Sequence, residues 1–70
     1  MPLTMARTGE VNTIRKVGGL GETKKFLENL GFVSGSQVTV VNTLNGNIIV
    51  NIKDSRVAIS KEMANKIMVG

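Results

Sequence analysis

The side chains able to do chemistry in this chain are few in kind. It has no histidine and no cysteine. Its carboxylates are Glu10, Glu22, Glu28, Asp54 and Glu62, dispersed along the sequence. General acid–base catalysis needs two such groups held together in different environments, and nothing in their spacing pairs them. Nucleophilic catalysis needs a hydroxyl or thiol beside a base, and no serine here stands beside a usable one. Tight transition-metal sites draw on imidazole, thiolate or clustered carboxylate. Only scattered carboxylates remain, so a weak surface site is the most the sequence allows. The reading is a protein that is not an enzyme, with no cofactor and no built metal site.

Two further features invite a binding function. The run Gly18-Gly19-Leu20-Gly21 leads into a helical pattern, and helix N-termini attract anions. No Gly-Lys-Ser/Thr follows, so this is not a nucleotide-phosphate loop but a strand-to-helix connection. Lysine and arginine number nine against five acids, a net charge of +4, and the sequence pI is about 10.0. A basic chain suggests nucleic acid, yet single-stranded bases need aromatic platforms to stack on. There is no Trp or Tyr, and the only aromatics are Phe26 and Phe32. They flank one helical segment and read as core. The same shortage argues against an aromatic-lined peptide groove of the SH3 type.

What must position any surface is one domain, residues 1–70. A chain of 70 residues buries only about 60% of its unfolded surface, and this one has no disulfide to help. Residues 1–9 form a lead-in with apolar Pro2-Leu3 and Met5. A strand follows over 10–17. Its apolar Val11, Ile14 and Val17 break strict alternation, which predicts a bulge near Asn12-Thr13. Thr23, Phe26, Leu27 and Leu30 share one face of a helix near 21–30. Gly31 ends it as a left-handed cap, with Phe32 folding back on the last turn. Gly35 fits the third position of a type II turn.

Strands at 37–43 and 47–53 then form a hairpin. Val38 and Val40 belong on one face with Ile48, Val50 and Ile52. A two-residue Asn45-Gly46 turn would oppose Val41 to Val50 and break that face. A three-residue loop, Leu44-Asn45-Gly46, keeps Val40 opposite Val50 and Val38 opposite Ile52. That register makes Val41 and Ile49 an outward pair with Leu44 at the tip, a candidate docking surface. Lys24 and Lys25 on the helix rim are its candidate electrostatic partners. A strand over 56–60, with Val57 and Ile59 inward, a helical turn capped by Ser60 over 61–66, and a strand over 67–69 complete the chain. The sum is a mainly β fold, a small antiparallel barrel with one short inserted α-helix.

These elements, in this order, resemble the ferrous iron transport protein A (FeoA) family. The resemblance rests on Gly9, Leu27, Leu30-Gly31-Phe32, Gly35-Ser36 before Val38, and the strand of Ile48, Val50 and Ile52. Val57-Ala58-Ile59 and the ending Glu62, Ala64, Ile67, Val69 carry it to the end of the chain. The family often has Pro at the position of Ser34, Arg at that of Phe26 and Gly at that of Asp54. The resemblance implies an SH3-like barrel. It also implies a cytoplasmic accessory module that binds the large ferrous iron transporter, a permease with a cytosolic GTP-hydrolysing domain. That partner would recruit it to the inner face of the membrane. The similar barrel at the C-terminus of iron-dependent repressors implies one alternative, a metal-responsive domain; the basic pI of a small barrel leaves another, a nucleic-acid-binding module. No run approaches the ~20 apolar residues that span a bilayer, no secretory signal is visible, and self-association is compatible with the sequence.

Overall fold

A computed structural model describes residues 1–70. A 3₁₀ turn at Leu3–Met5 precedes β1 (Val11–Val17), α1 (Glu22–Leu30), β2 (Gln37–Leu44), β3 (Asn47–Ile52), β4 (Ser55–Ser60), the single turn α2 (Lys61–Ala64) and β5 (Ile67–Val69). The strands form one antiparallel sheet in the order β4-β3-β2-β1-β5. β1 divides its partners. Val11 to Thr13 face β2, and Ile14 to Val17 face β5.

Local signals set the ends of α1. Gly31 adopts φ 109° and ψ 2°, a left-handed conformation that costs an L-residue with a Cβ. Its amide donates to the Glu28 carbonyl at 3.0 Å, and that of Phe32 to the Leu27 carbonyl at 3.0 Å. These two bonds define the Schellman stop and send Phe32 into the core, where it is fully buried. The turn after it closes through the Ser36 amide on the Val33 carbonyl at 3.1 Å, with Gly35 at φ +91°, as a type II turn requires. Ser60 caps α2, its hydroxyl accepting from the Met63 amide at 3.2 Å.

The hairpin resolves its conflict differently from the sequence expectation. Leu44 pairs with Asn47, so the turn is the two-residue Asn45-Gly46, with φ of 51° and 81°. Two positive φ values are the mark of a type I′ turn, whose twist suits the flanking strands. The core register is nevertheless the expected one, Val40 opposite Val50 and Val38 opposite Ile52. The extra residue is Val41, a bulge between Val40 and Asn42 that restores the inward face and sharpens the strand's bend. Val41 therefore does not pair with Ile49; Asn42 does. A second displacement concerns β1. Asn12 and Thr13 pair regularly with Val38 and Gln37, and the irregularity falls between Ile14 and Lys16. That is where β1 changes partner from β2 to β5.

Fourteen buried apolar residues make the core, and no polar or charged residue is buried. Val38 and Val40 of β2 and Ile48, Val50 and Ile52 of β3 contribute, as do Leu27, Phe32 and Ile67. Two assignments made from sequence change. Phe26 is 48% exposed and is not a core residue. It precedes Leu27, so it lies about 100° round the helix, and Leu27 is the residue that points at the sheet. Leu3, in the lead-in, is completely buried. The N-terminal segment is pinned against β5. The Met1 ammonium donates to the Val69 carbonyl at 2.9 Å, the Val69 amide donates back to the Met1 carbonyl at 2.8 Å, and Pro2 bridges to Met68. The outer edge of β5 is thereby covered, which protects it from pairing with another chain.

Candidate partner-binding face

The sheet turns one face to the core and the other to solvent, so every second strand residue is available to a partner. Register places Val11, Thr39, Asn51 and Arg56 in one row across four strands. The row is ordered by a hydrogen bond from the Arg56 Nε to the Asn51 Oδ1 at 3.1 Å. The neighbouring row is largely aliphatic, with Asn42 as its polar member. The Val41–Asn42 bulge, Ile49 and Ala58 lie side by side. The outer face is thus a polar strip beside a largely aliphatic one.

Both concavities of the molecule lie on the polar strip. The larger, about 500 Å³, is lined by Val11, Gly35, Ser36, Gln37, Thr39, Asn51 and Lys53. The smaller, about 360 Å³, shares Asn51 and Lys53 and adds Asp54, Ser55 and Arg56. Lys53 holds its position with φ 55°, a backbone setting uncommon for a residue with a side chain, and it aligns its stem beside Gly31. Together these walls form a shallow polar trough with cationic Lys53 and Arg56 on one side. It offers hydrogen-bond donors and acceptors for binding. No group of three or more His, Cys, Asp or Glu side chains converges anywhere.

The residues singled out from sequence fall as follows. Leu44 is 56% exposed at the hairpin tip, while Val41 and Ile49 are each half-buried on the outer face. The bulge keeps Val41 and Ile49 close without the direct pairing expected. Lys24 and Lys25 are exposed on the first turn of α1, whose main contact is with β1. The fold does not bring them to the hairpin. Thr39, Asn51, Val11 and Arg56 were missed. Their signal was present, since they occupy the positions alternating with the buried residues, but only the pairing register lines them up across four strands.

A five-stranded antiparallel sheet of this order with one short helix is an SH3-like fold. Solved structures of that fold superpose over nearly the whole chain. An iron uptake regulatory protein (FeoA) matches with a TM-score of 0.89 at 24% identity, over 99% of this chain and 93% of that one. Stenotrophomonas maltophilia FeoA, described as a procaryotic SH3 domain protein and complexed with zinc, matches at 0.90 and 22% identity, over 100% and 89%. A manganese-dependent transcriptional repressor matches at 0.87 and 21% identity, but the chain spans only 40% of it. These likenesses concern the fold. Sequence supplies the family. The FeoA domain model matches residues 1–70. An Fe(2+) transport protein A of Methanocaldococcus jannaschii is 36% identical over 69 residues, 97% of this chain and 83% of that protein. The chain belongs to the FeoA family, small SH3-like domains related to ferrous iron transport. No helix in it is long and apolar enough to cross a membrane.

Proposed function

We propose that this protein is a cytoplasmic accessory binding module of ferrous iron uptake, one that docks on the cytosolic GTP-hydrolysing domain of the ferrous iron transporter. Family membership over residues 1–70 carries the reading. The outer face supports it, because its grooves and half-buried aliphatics suit a macromolecular contact. In this reading Ile49, Val41 and Leu44 form the apolar centre, and Thr39, Asn51 and Arg56 form a hydrogen-bonding rim beside it. Lys24 and Lys25, remote from the hairpin, act through long-range attraction and set encounter rate more than affinity.

The test is calorimetric titration of the purified GTP-hydrolysing domain with this protein and its variants. Ile49→Ser or Leu44→Ser is expected to weaken binding about tenfold, the worth of roughly 1–2 kcal/mol of apolar contact, with the fold retained. Val50→Asp is the control. Val50 is completely buried, and an unpaired carboxylate there should unfold the domain. Normal affinity in both outward variants would remove the hairpin face from the interface. Absence of any binding by the unaltered protein would overturn the docking reading itself.

A further inference from the structure

Leu20 is the most exposed large apolar residue of the chain, 90% accessible. Its exposure has a local cause. A residue just before the helix N-cap ordinarily packs against an apolar side chain at the fourth helical position. Here the N-cap is Gly21 and that position is Lys25, so Leu20 has nothing to rest on. The loop is nonetheless held. Gly19 and Gly21 take φ of +101° and +53°. The Thr23 amide donates to the Leu20 carbonyl at 3.2 Å, and the Gly18 amide to the Lys66 carbonyl at 2.7 Å. The side chain is held out on a hydrogen-bonded loop.

Its surroundings are cationic. The Lys66 side chain lies over Gly19, 3.3 Å from where a Cβ would stand, and the Lys24 amide is 3.8 Å from the same point. Lys25 follows on the helix, and Glu22 is the one acid of its first turn. Both concavities of the molecule lie elsewhere, on the outer face of the sheet. The apolar tip thus stands outside both concavities, with the Lys66 side chain packed against its loop and Lys24 and Lys25 exposed on the adjoining helical turn, on a chain of net charge +4.

We propose that the Gly18–Gly21 loop is a peripheral membrane anchor, with Leu20 entering the acyl boundary of an anionic bilayer while Lys24, Lys25 and Lys66 engage its headgroups. An exposed tip fits a fluid surface without a preformed pocket. The lysines are complementary to anionic lipid, each worth about fivefold in partitioning when close to the surface. One aliphatic side chain adds on the order of tenfold. Neither element anchors alone, and the pair gives reversible attachment. The inference does not depend on docking to the transporter, and its test contains no transporter.

The experiment is cosedimentation of the full chain with sucrose-loaded vesicles, of phosphatidylcholine alone or with about 30% phosphatidylglycerol, the anionic lipid that supplies the surface potential. Binding is expected only with the anionic lipid, falling about fivefold in Lys66→Ala and about tenfold in Leu20→Ser. The chain has no tryptophan, so Leu20→Trp gives a single emitter whose fluorescence should shift to the blue on binding. No sedimentation with anionic vesicles would overturn the proposal. So would equal binding of Leu20→Ser, or an unshifted emission spectrum in the Leu20→Trp variant, since either leaves only non-specific charge attraction. An unchanged melting temperature in each variant verifies that the fold is not the cause, since Leu20 is outside the core.

Discussion

Replacing Gly31 by alanine isolates the backbone strain of the helix stop. The φ of 109° at this position is one that an L-residue reaches at a cost of about 1–2 kcal/mol. Space does not add to this. A Cβ would meet the Ile52 Cγ1 at 3.4 Å and the Lys53 Cδ at 3.5 Å, ordinary van der Waals separations. For a chain of 70 residues total stability is on the order of 4–10 kcal/mol. In a domain this small each kcal/mol moves the midpoint by about 4–8 °C. Gly31→Ala should therefore lower Tm by about 5–15 °C without unfolding the protein at room temperature, read by circular dichroism melts. Gly31→Val should cost more, because a β-branched side chain is still less tolerant of positive φ. Gly18→Ala is the control. Gly18 does not have positive φ, and its Cβ would lie 3.4 Å from the Lys66 carbonyl oxygen, so the shift should be slight. Equal shifts at Gly18 and Gly31 would refute the assignment of strain to the left-handed cap.

Two further outcomes are expected. Phe32→Ala should cost about 3–5 kcal/mol through the cavity left in the core, whereas Phe26→Ser, at a 48% exposed site, should change Tm by only a few degrees; urea unfolding of both variants measures the contrast. Under the proposed docking, charge reversal at Lys24 and Lys25 should slow association with the transporter's GTP-hydrolysing domain at low ionic strength, and stopped-flow rates of variant and unaltered protein should converge at ~0.5 M salt, where screening reaches only about 4 Å.

Much of the chemistry was legible from residue types alone. An inventory with no His or Cys and five scattered carboxylates states which groups are available, whatever the fold. The helix stop at Leu30-Gly31-Phe32, the turn at Gly35 and the cap at Ser60 were legible for another reason. Each rests on bonds between residues within five positions of one another, so the determining contacts lie inside the local sequence. The core register of the hairpin was legible too, because a slip of one residue would turn Val38, Val40 and Val50 out to water.

What the sequence left open was where a surplus residue goes. Alternation requires one extra position between Val40 and Val50, and either a longer loop or a bulge supplies it. The choice of the Val41 bulge depends on the twist that a two-residue turn gives the strands, and on the bend the sheet needs to wrap its core. The irregularity in β1 likewise sits where its partner changes from β2 to β5, and strand order is not a local property. Phe26 and Leu3 were misplaced for the same cause. Helical spacing gives Phe26 and Leu27 nearly equal claims to the apolar face, and only the direction from which the sheet approaches makes Leu27 the buried one. Leu3 carries no periodic signal, and it is core because the N-terminal segment is tied to Val69 at the far end of the chain. Burial is decided by what lies across the interior, and neighbours in sequence do not carry that information.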